Sequence, residues 1–381
     1  ARGFGSPGEG ERPLTANTLF EIASATKQFT GAALALLADR GEVKLDASIA
    51  EYLPNVPEDS RVITVRQLLL HTTGIPGRNV AGGRLPLEQA VPAFLAGGPK
   101  HPPGTHWEYW NQGYALAAAI IEHVSGSGYA DFLTRALFAP AGMITAGFTG
   151  DALPPGVQQA VGSSANGPAR GALDHPYGSY GWQYKGMGGA VLNLWDLWAW
   201  DRALHTETPL SEAAKAELFR VGLEHYALGW DVETRDGRLT HSHGGAVRGF
   251  VSQIVRYPDN DGAIFVLCNN DRYSPRRMAQ MFEGLLFDRE VKLPPKPLEH
   301  SVQRALTGHY VDERGVEVDF KADGALTRAF VYRQGKRPPM SNDFVGVADN
   351  GDIVLYQWGS QIAIEIEQRE DGRASVLVMG G

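Results

Sequence analysis

Thr18-Leu-Phe-Glu-Ile-Ala-Ser24-Ala-Thr-Lys27-Gln-Phe-Thr-Gly-Ala-Ala-Leu-Ala-Leu-Leu-Ala-Asp-Arg40-Gly41 is the stretch from which the fold is read. Phe29, Ala33, Leu36 and Leu37 recur at three- and four-residue spacing, which predicts a helix of about four turns from Ala23 or Ser24 to Arg40, stopped by Gly41. Ser24 and Lys27 stand three apart at its start, so hydroxyl and amine share a face. A free lysine is a neutral base in only about one molecule in 2,500 at neutral pH. Lowering its pKa by about three units disfavours the ammonium by roughly 4 kcal/mol, which burial can supply. Serine and lysine at this spacing recur by chance, so the pair alone does not decide a function.

Working outward, Thr64 is the expected cap of a helix from Val65 to His71, and Pro86–Leu95, Asn111–Val124 and Gly128–Phe138 also read as helical. Gly188 to Trp200 leads into a further helix. The pattern then changes to strands: Arg238–His243, ended by a Gly-Gly break, then Gly249–Tyr257 and Ala263–Cys268 flanking the hairpin signal Pro258-Asp-Asn-Asp-Gly262. Ser274–Phe287 reads as a closing helix. Pro294, Pro295 and Pro297 mark a linker. Beyond it lie short strands with turns at Asp323-Gly324, Asn350-Gly351 and Asp371-Gly372. The expectation is an α+β fold, an antiparallel sheet flanked by helices with a helical subdomain, divided as 1–290, a linker 291–300 and a small β domain 301–381.

Bulk properties bound the function. The chain has 381 residues, 43% hydrophobic and 20% charged, with a net charge of −8. That balance argues against nucleic-acid binding, and no apolar run reaches the roughly 18 residues of a membrane span. The single cysteine, Cys268, excludes an internal disulfide and reads as a small core residue. The opening residues show no signal-peptide pattern. A soluble protein is expected, either cytoplasmic or exported with its signal segment removed; the oligomeric state stays open.

Two further segments carry chemistry. In Tyr109-Trp110-Asn111 the phenol could relay protons and the amide could bind a carbonyl, although Asn111 would equally serve as a helix cap. In His243-Gly244-Gly245-Ala246 the glycines allow a close backbone approach, and the Ala246 N–H could join that of Ser24 as an oxyanion hole. His241 shares a strand face with His243, but no further ligand lies at a metal-site spacing, so His241 reads as structural. Trp110, Trp182, Tyr226 and Trp230 are candidates for an aromatic cleft or for core.

Ser-x-x-Lys, Tyr-x-Asn and His-Gly-Gly in this order, with Leu68-Leu-Leu-His-Thr-Thr-Gly74, Pro103-Gly104 and His243-Gly-Gly-Ala-Val-Arg-Gly-Phe250, resemble the class C β-lactamase and penicillin-binding-protein-like serine hydrolases over roughly residues 12 to 290. The resemblance implies the β-lactamase/transpeptidase-like fold, acylation of Ser24 with Lys27 as base, Tyr109 as proton shuttle, Asn111 and His243 holding substrate, amides of Ser24 and Ala246 as oxyanion hole, and no metal or organic cofactor. Family members carry two sheet strands before the nucleophile helix. Here 23 residues precede Ser24, rich in Gly and Pro, so those strands are expected to be missing. His243 stands where many relatives have lysine, which ranks a small D-amino-acid-containing peptide first as substrate. A carboxylic ester, a β-lactam, and a penicillin-sensing module without turnover remain as alternatives. The C-terminal domain resembles the lipocalin-like appendage of some D-specific peptidases, through Leu306-Thr-Gly-His-Tyr310.

Overall fold

Helix Lys27–Asp39 forms at the centre of the helical layer because nearly every side chain it carries is apolar or small, so it can be buried on all sides. Gly41 ends it with φ +74°, and the Glu42 N–H closes back on the Leu37 carbonyl. The chain is described here by a computed structural model for residues 1–5, 13–77, 85–152, 154–164, 167–169, 181–182, 184–292, 294–311, 316–333, 341–357, 360–368 and 374–378. Its internal contacts divide it into two units, Ala1–Ala279 and Gln280–Gly381.

In the first unit, the start of the central helix differs from a plain α-helix. Ala23–Thr26 is a 3₁₀ turn, with the Lys27 N–H bonded to the Ser24 carbonyl. In such a turn side chains at i and i+3 eclipse, which aligns Ser24 with Lys27 more closely than an α-turn would. Ala23, just before the serine, holds φ +50°, a left-handed conformation that side chains other than glycine rarely adopt. Thr64 caps Val65–Leu69 in a reciprocal box with Gln67. That helix stops two residues short of His71, which itself takes φ +57°. Leu87–Phe94 and Asn111–Ser125 follow, and Tyr129–Leu133 runs on into a π-type turn at Thr134–Phe138.

The sheet is antiparallel, in the order Asp231–Arg235, Arg238–Val247, Phe250–Tyr257, Gly262–Cys268. Phe20–Glu21 lies outside it, pairing with Ala190–Leu192 in a separate small sheet. The expected break at Gly244-Gly245 is absent: the strand continues to Val247, with His243 opposite Ile254 and Gly245 opposite Ser252. The glycines serve proximity instead. A Cβ on Gly245 would lie 2.0 Å from the Ile22 carbonyl oxygen, so the strand touches the turn that carries Ser24. The Ser252 hydroxyl donates to the same Ile22 carbonyl at 2.8 Å, and the Ala190 N–H to Thr26 Oγ1 at 3.1 Å, pinning the turn from two sides. On the helix side, a Cβ on Gly31 would lie 2.0 Å from the Leu228 carbonyl oxygen, so the segment leading to Asp231 packs on the central helix.

In the second unit, seven strands from Gly308–Val311 to Ala374–Val378 pair each with its neighbour in sequence, an antiparallel meander that curls around Leu306, Phe320, Ala329, Val345 and Leu355. The expected turn at Asp371-Gly372 lies outside the described residues.

Gly245→Ala is expected to destabilise the protein by about 1–3 kcal/mol in urea unfolding, the usual range for forcing an atom into a packed contact. Unchanged stability would mean that strand and turn are not held in this contact.

Candidate active site

Lys27 is a fully buried basic group of the first unit. Its side chain is 0% exposed, and Nζ lies 2.9 Å from Asn111 Oδ1, 3.1 Å from the Met187 carbonyl oxygen and 3.2 Å from Ser24 Oγ. The rings of Tyr109 and Tyr114 stand 4.8 and 5.4 Å from the nitrogen. No carboxylate is bonded to it among the described residues, and burial holds its pKa well below the usual ammonium range. A neutral amine has two N–H bonds and one lone pair. With the amine neutral, the two carbonyl oxygens take its N–H bonds and the lone pair accepts from the Ser24 hydroxyl; protonated, it donates to all three oxygens.

Tyr109 reaches the same hydroxyl from the other side, hydrogen-bonded to Ser24, and burial raises its pKa, so it remains a phenol at neutral pH. Asn111 is the first residue of its helix rather than the cap; Trp110 occupies the cap position in extended conformation. His243 closes the far wall, 6.5 Å from the Tyr109 ring. Its Nδ1 sits 2.6 Å from the Gly244 carbonyl oxygen and must carry the proton, so Nε2 accepts from the Tyr226 hydroxyl at 3.0 Å. Burial lowers the His243 pKa to about 3. The imidazole is therefore neutral in the physiological range.

These groups open on a cleft of about 540 Å³ lined by Ser24, Tyr109, His243, Gly244, Gly245 and Ala246, together with Trp107, Tyr226, Asp231 and Tyr273. The four aromatic residues divide between the two readings that the sequence left open. Trp110 and Trp230 are fully buried core, Trp182 packs on Lys185, and only Tyr226 of the four faces the cleft. His241 lies 3.9 Å from Phe219 in a parallel stack. Asp231 was not singled out in the sequence, although it leads into the strand that pairs with the His243 strand, opposite Ser242.

His71 is the second residue that spacing did not identify. Its carbonyl accepts the Glu108 N–H at 2.9 Å and its Nδ1 accepts the Trp110 N–H at 3.1 Å, so it grips the backbone on both sides of Tyr109. Its ring lies 4.3 Å from that of Tyr109 and 4.7 Å from that of Tyr226, and burial keeps it neutral. Its left-handed φ is what points carbonyl and ring at the same segment. His71→Asn supplies an acceptor near the Nδ1 position and tolerates that φ; His71→Ala supplies no acceptor. Labelling of Ser24 by a fluorophosphonate is expected to slow at least about tenfold in the alanine variant and less in the asparagine variant. Equal rates in both would remove the clamp as the cause.

The beta-lactamase family profile matches residues 1–285. Penicillin-binding protein 4* of Bacillus subtilis (strain 168) is 29% identical over 335 residues, 79% of this chain and 73% of that protein. Among solved structures, the octameric penicillin-binding protein homologue from Pyrococcus abyssi has a TM-score of 0.67 at 22% identity, covering 99% of this chain and 91% of its own, a likeness of fold. The D-stereospecific amidohydrolase from Streptomyces sp. has a TM-score of 0.56 at 25% identity, covering 67% of this chain and 83% of its own. With three quarters of its length matched by that profile, the chain belongs to the beta-lactamase family and is a serine hydrolase.

Proposed function

We propose that the chain hydrolyses small amides of D-amino acids through an acyl-enzyme on Ser24, with residues 1–290 carrying the reaction and 301–381 forming an appendage. The observation that carries this reading is the fully buried amine of Lys27, within 3.2 Å of the Ser24 hydroxyl oxygen and held by two carbonyl oxygens. In acylation, Lys27 takes the Ser24 proton as Oγ attacks the substrate carbonyl. The negative charge that develops on the carbonyl oxygen faces the backbone N–H groups of Ser24 and Ala246. When the tetrahedral intermediate collapses, the C–N bond breaks and the Tyr109 hydroxyl delivers a proton to the leaving nitrogen; the Lys27 ammonium restores the phenol. In deacylation a water molecule attacks the ester, its proton passes to Lys27 and the acid leaves as Ser24 regains its own. Asn111 holds Lys27 in register. The directions of the two pKa shifts support the assignment, because the base is held unprotonated and the acid protonated.

The substrate ranking rests on charge. His243 is neutral, and none of the described residues lining the cleft is a lysine or arginine. A substrate with a carboxylate beside the scissile bond, as in a β-lactam or a C-terminal D-alanine, finds no fixed cation there. The amidohydrolase likeness favours amide over lactam chemistry. The aromatic walls of Trp107, Tyr226 and Tyr273 favour an ester of an apolar acyl group as the second reading.

Steady-state turnover of a D-amino acid anilide against the matching nitrophenyl ester separates the roles. Tyr109→Phe is expected to lower kcat on the anilide by about 10²–10⁴-fold, the usual weight of a positioned acid. It should affect the nitrophenyl ester far less, since nitrophenolate leaves without a proton. Equal losses on both would deny Tyr109 the role of acid. The pH profile of kcat/KM is expected to fall on the acid side as Lys27 takes up a proton, and to show no alkaline limb from Tyr109, whose pKa burial raises above the ordinary phenol value. An alkaline limb that disappears in Tyr109→Phe would contradict that shift. Ser24→Ala with undiminished turnover would end the proposal.

A further inference from the structure

Asp231 is the one carboxylate among the described residues that line the cleft. It lies at the first position of its strand, directly after Trp230, and the same residue bridges back to Tyr226, whose hydroxyl holds His243. The Gly31 contact with Leu228 anchors the segment before it to the central helix, so its backbone is fixed relative to Ser24. The side chain is half-buried yet accepts no hydrogen bond and joins no ion pair among the described residues. The basic groups in its field are engaged or distant: Arg235 forks onto Glu233 at 2.9 and 3.2 Å, and Arg276 is exposed on helix Pro275–Leu286. Metal binding does not account for it, since no cluster of three ligating side chains exists among the described residues. Nor is it needed as the base, because Lys27 already occupies that place beside Ser24.

The surroundings suit a small organic cation. Trp107, Tyr109, Tyr226 and Tyr273 line the same cleft, and an ammonium is attracted both to aromatic rings and to a carboxylate. We infer that Asp231 is a specificity residue that receives the free α-ammonium of the substrate's acyl residue, so that the enzyme acts on amides of amino acids and peptides with an unblocked amino terminus. The inference rests on the amide hydrolysis at Ser24 proposed above and narrows its substrate. Burial, with Glu233 second, raises the Asp231 pKa to about 6, while Arg235 and Arg276 pull it down and Tyr109, Tyr114 and Tyr226 face it as neutral phenols. A carboxylate held at that point is ionised when an α-amine, with a pKa of about 7.7–8.0, is still protonated.

The test uses two anilides with the same leaving group, D-phenylalanine p-nitroanilide and its des-amino analogue, 3-phenylpropionyl p-nitroanilide. The readout is the ratio of their kcat/KM values, in which any general effect on folding or on Lys27 cancels. The parent is expected to favour the amine by at least about tenfold, the scale of one charge-assisted contact. Asp231→Asn is expected to bring the ratio towards one, chiefly by raising KM for the amine, and Asp231→Glu to restore part of it. The parent's ratio should also fall as pH is lowered through about 6. A parent without preference, or an Asp231→Asn ratio equal to the parent's, overturns the inference while turnover of the des-amino anilide leaves hydrolysis at Ser24 standing. Failure to turn over either anilide, with Ser24→Ala indistinguishable from the parent, overturns both.

Discussion

The rest of the first unit is arranged around one unfavourable act, the removal of a lysine amine from water. An ammonium buried without a carboxylate would carry a penalty of several kcal/mol, and Lys27 has no such partner among the described residues. The protein answers with two carbonyl oxygens and one hydroxyl, a set that satisfies a neutral amine completely. Each of those oxygens comes from a different part of the chain. Asn111 comes from the start of its helix, Met187 from the run into Ala190–Leu192, and Ser24 from the 3₁₀ turn. Close packing brings these segments together: a Cβ on Gly186, beside Met187, would lie 2.3 Å from the Tyr114 carbonyl oxygen on the helix that Asn111 begins, and one on Gly245 2.0 Å from that of Ile22 before Ser24.

What the sequence discloses follows from how local each feature is. The Ser24–Lys27 relation is a property of one helical turn, so spacing alone reveals it. The cap at Thr64 and the hairpin around Pro258 are equally local, and the helix and strands they bound form within two residues of where the pattern places them. Tyr109, Asn111 and His243 were legible only through their order relative to that pair, and the fold gathers all three around Ser24. The Gly-Gly segment was misread because a glycine's weak strand propensity was weighed without the neighbour that demands it. That neighbour, the Ile22 carbonyl, is more than two hundred residues away in sequence.

Residues whose meaning depends on what does not touch them stayed invisible. Asp231 is one aspartate among many until the fold places it in a cleft with aromatic walls. His71 looks like any histidine at a helix end until its left-handed backbone brings two acceptors to either side of Tyr109. Trp110 and Trp230 stood open between cleft wall and core. Large aromatics near a site fit either place, and only packing shows that these two are buried. Burial is decided by the whole chain, so no window of sequence contains it.

The left-handed backbone at Ala23 gives position 24 a further character. The serine is placed by main-chain atoms: the turn of Ile22 and Ala23, the Lys27 N–H on its carbonyl, and the strand pressed against it. None of these touches the hydroxyl. The location of the reacting atom is thus a trait of the chain trace, inherited by whatever side chain stands there. Replacing the oxygen with another nucleophile keeps the address and changes the occupant. In such a scaffold the kind of chemistry can drift by single substitutions at position 24, while the architecture that presents it stays put.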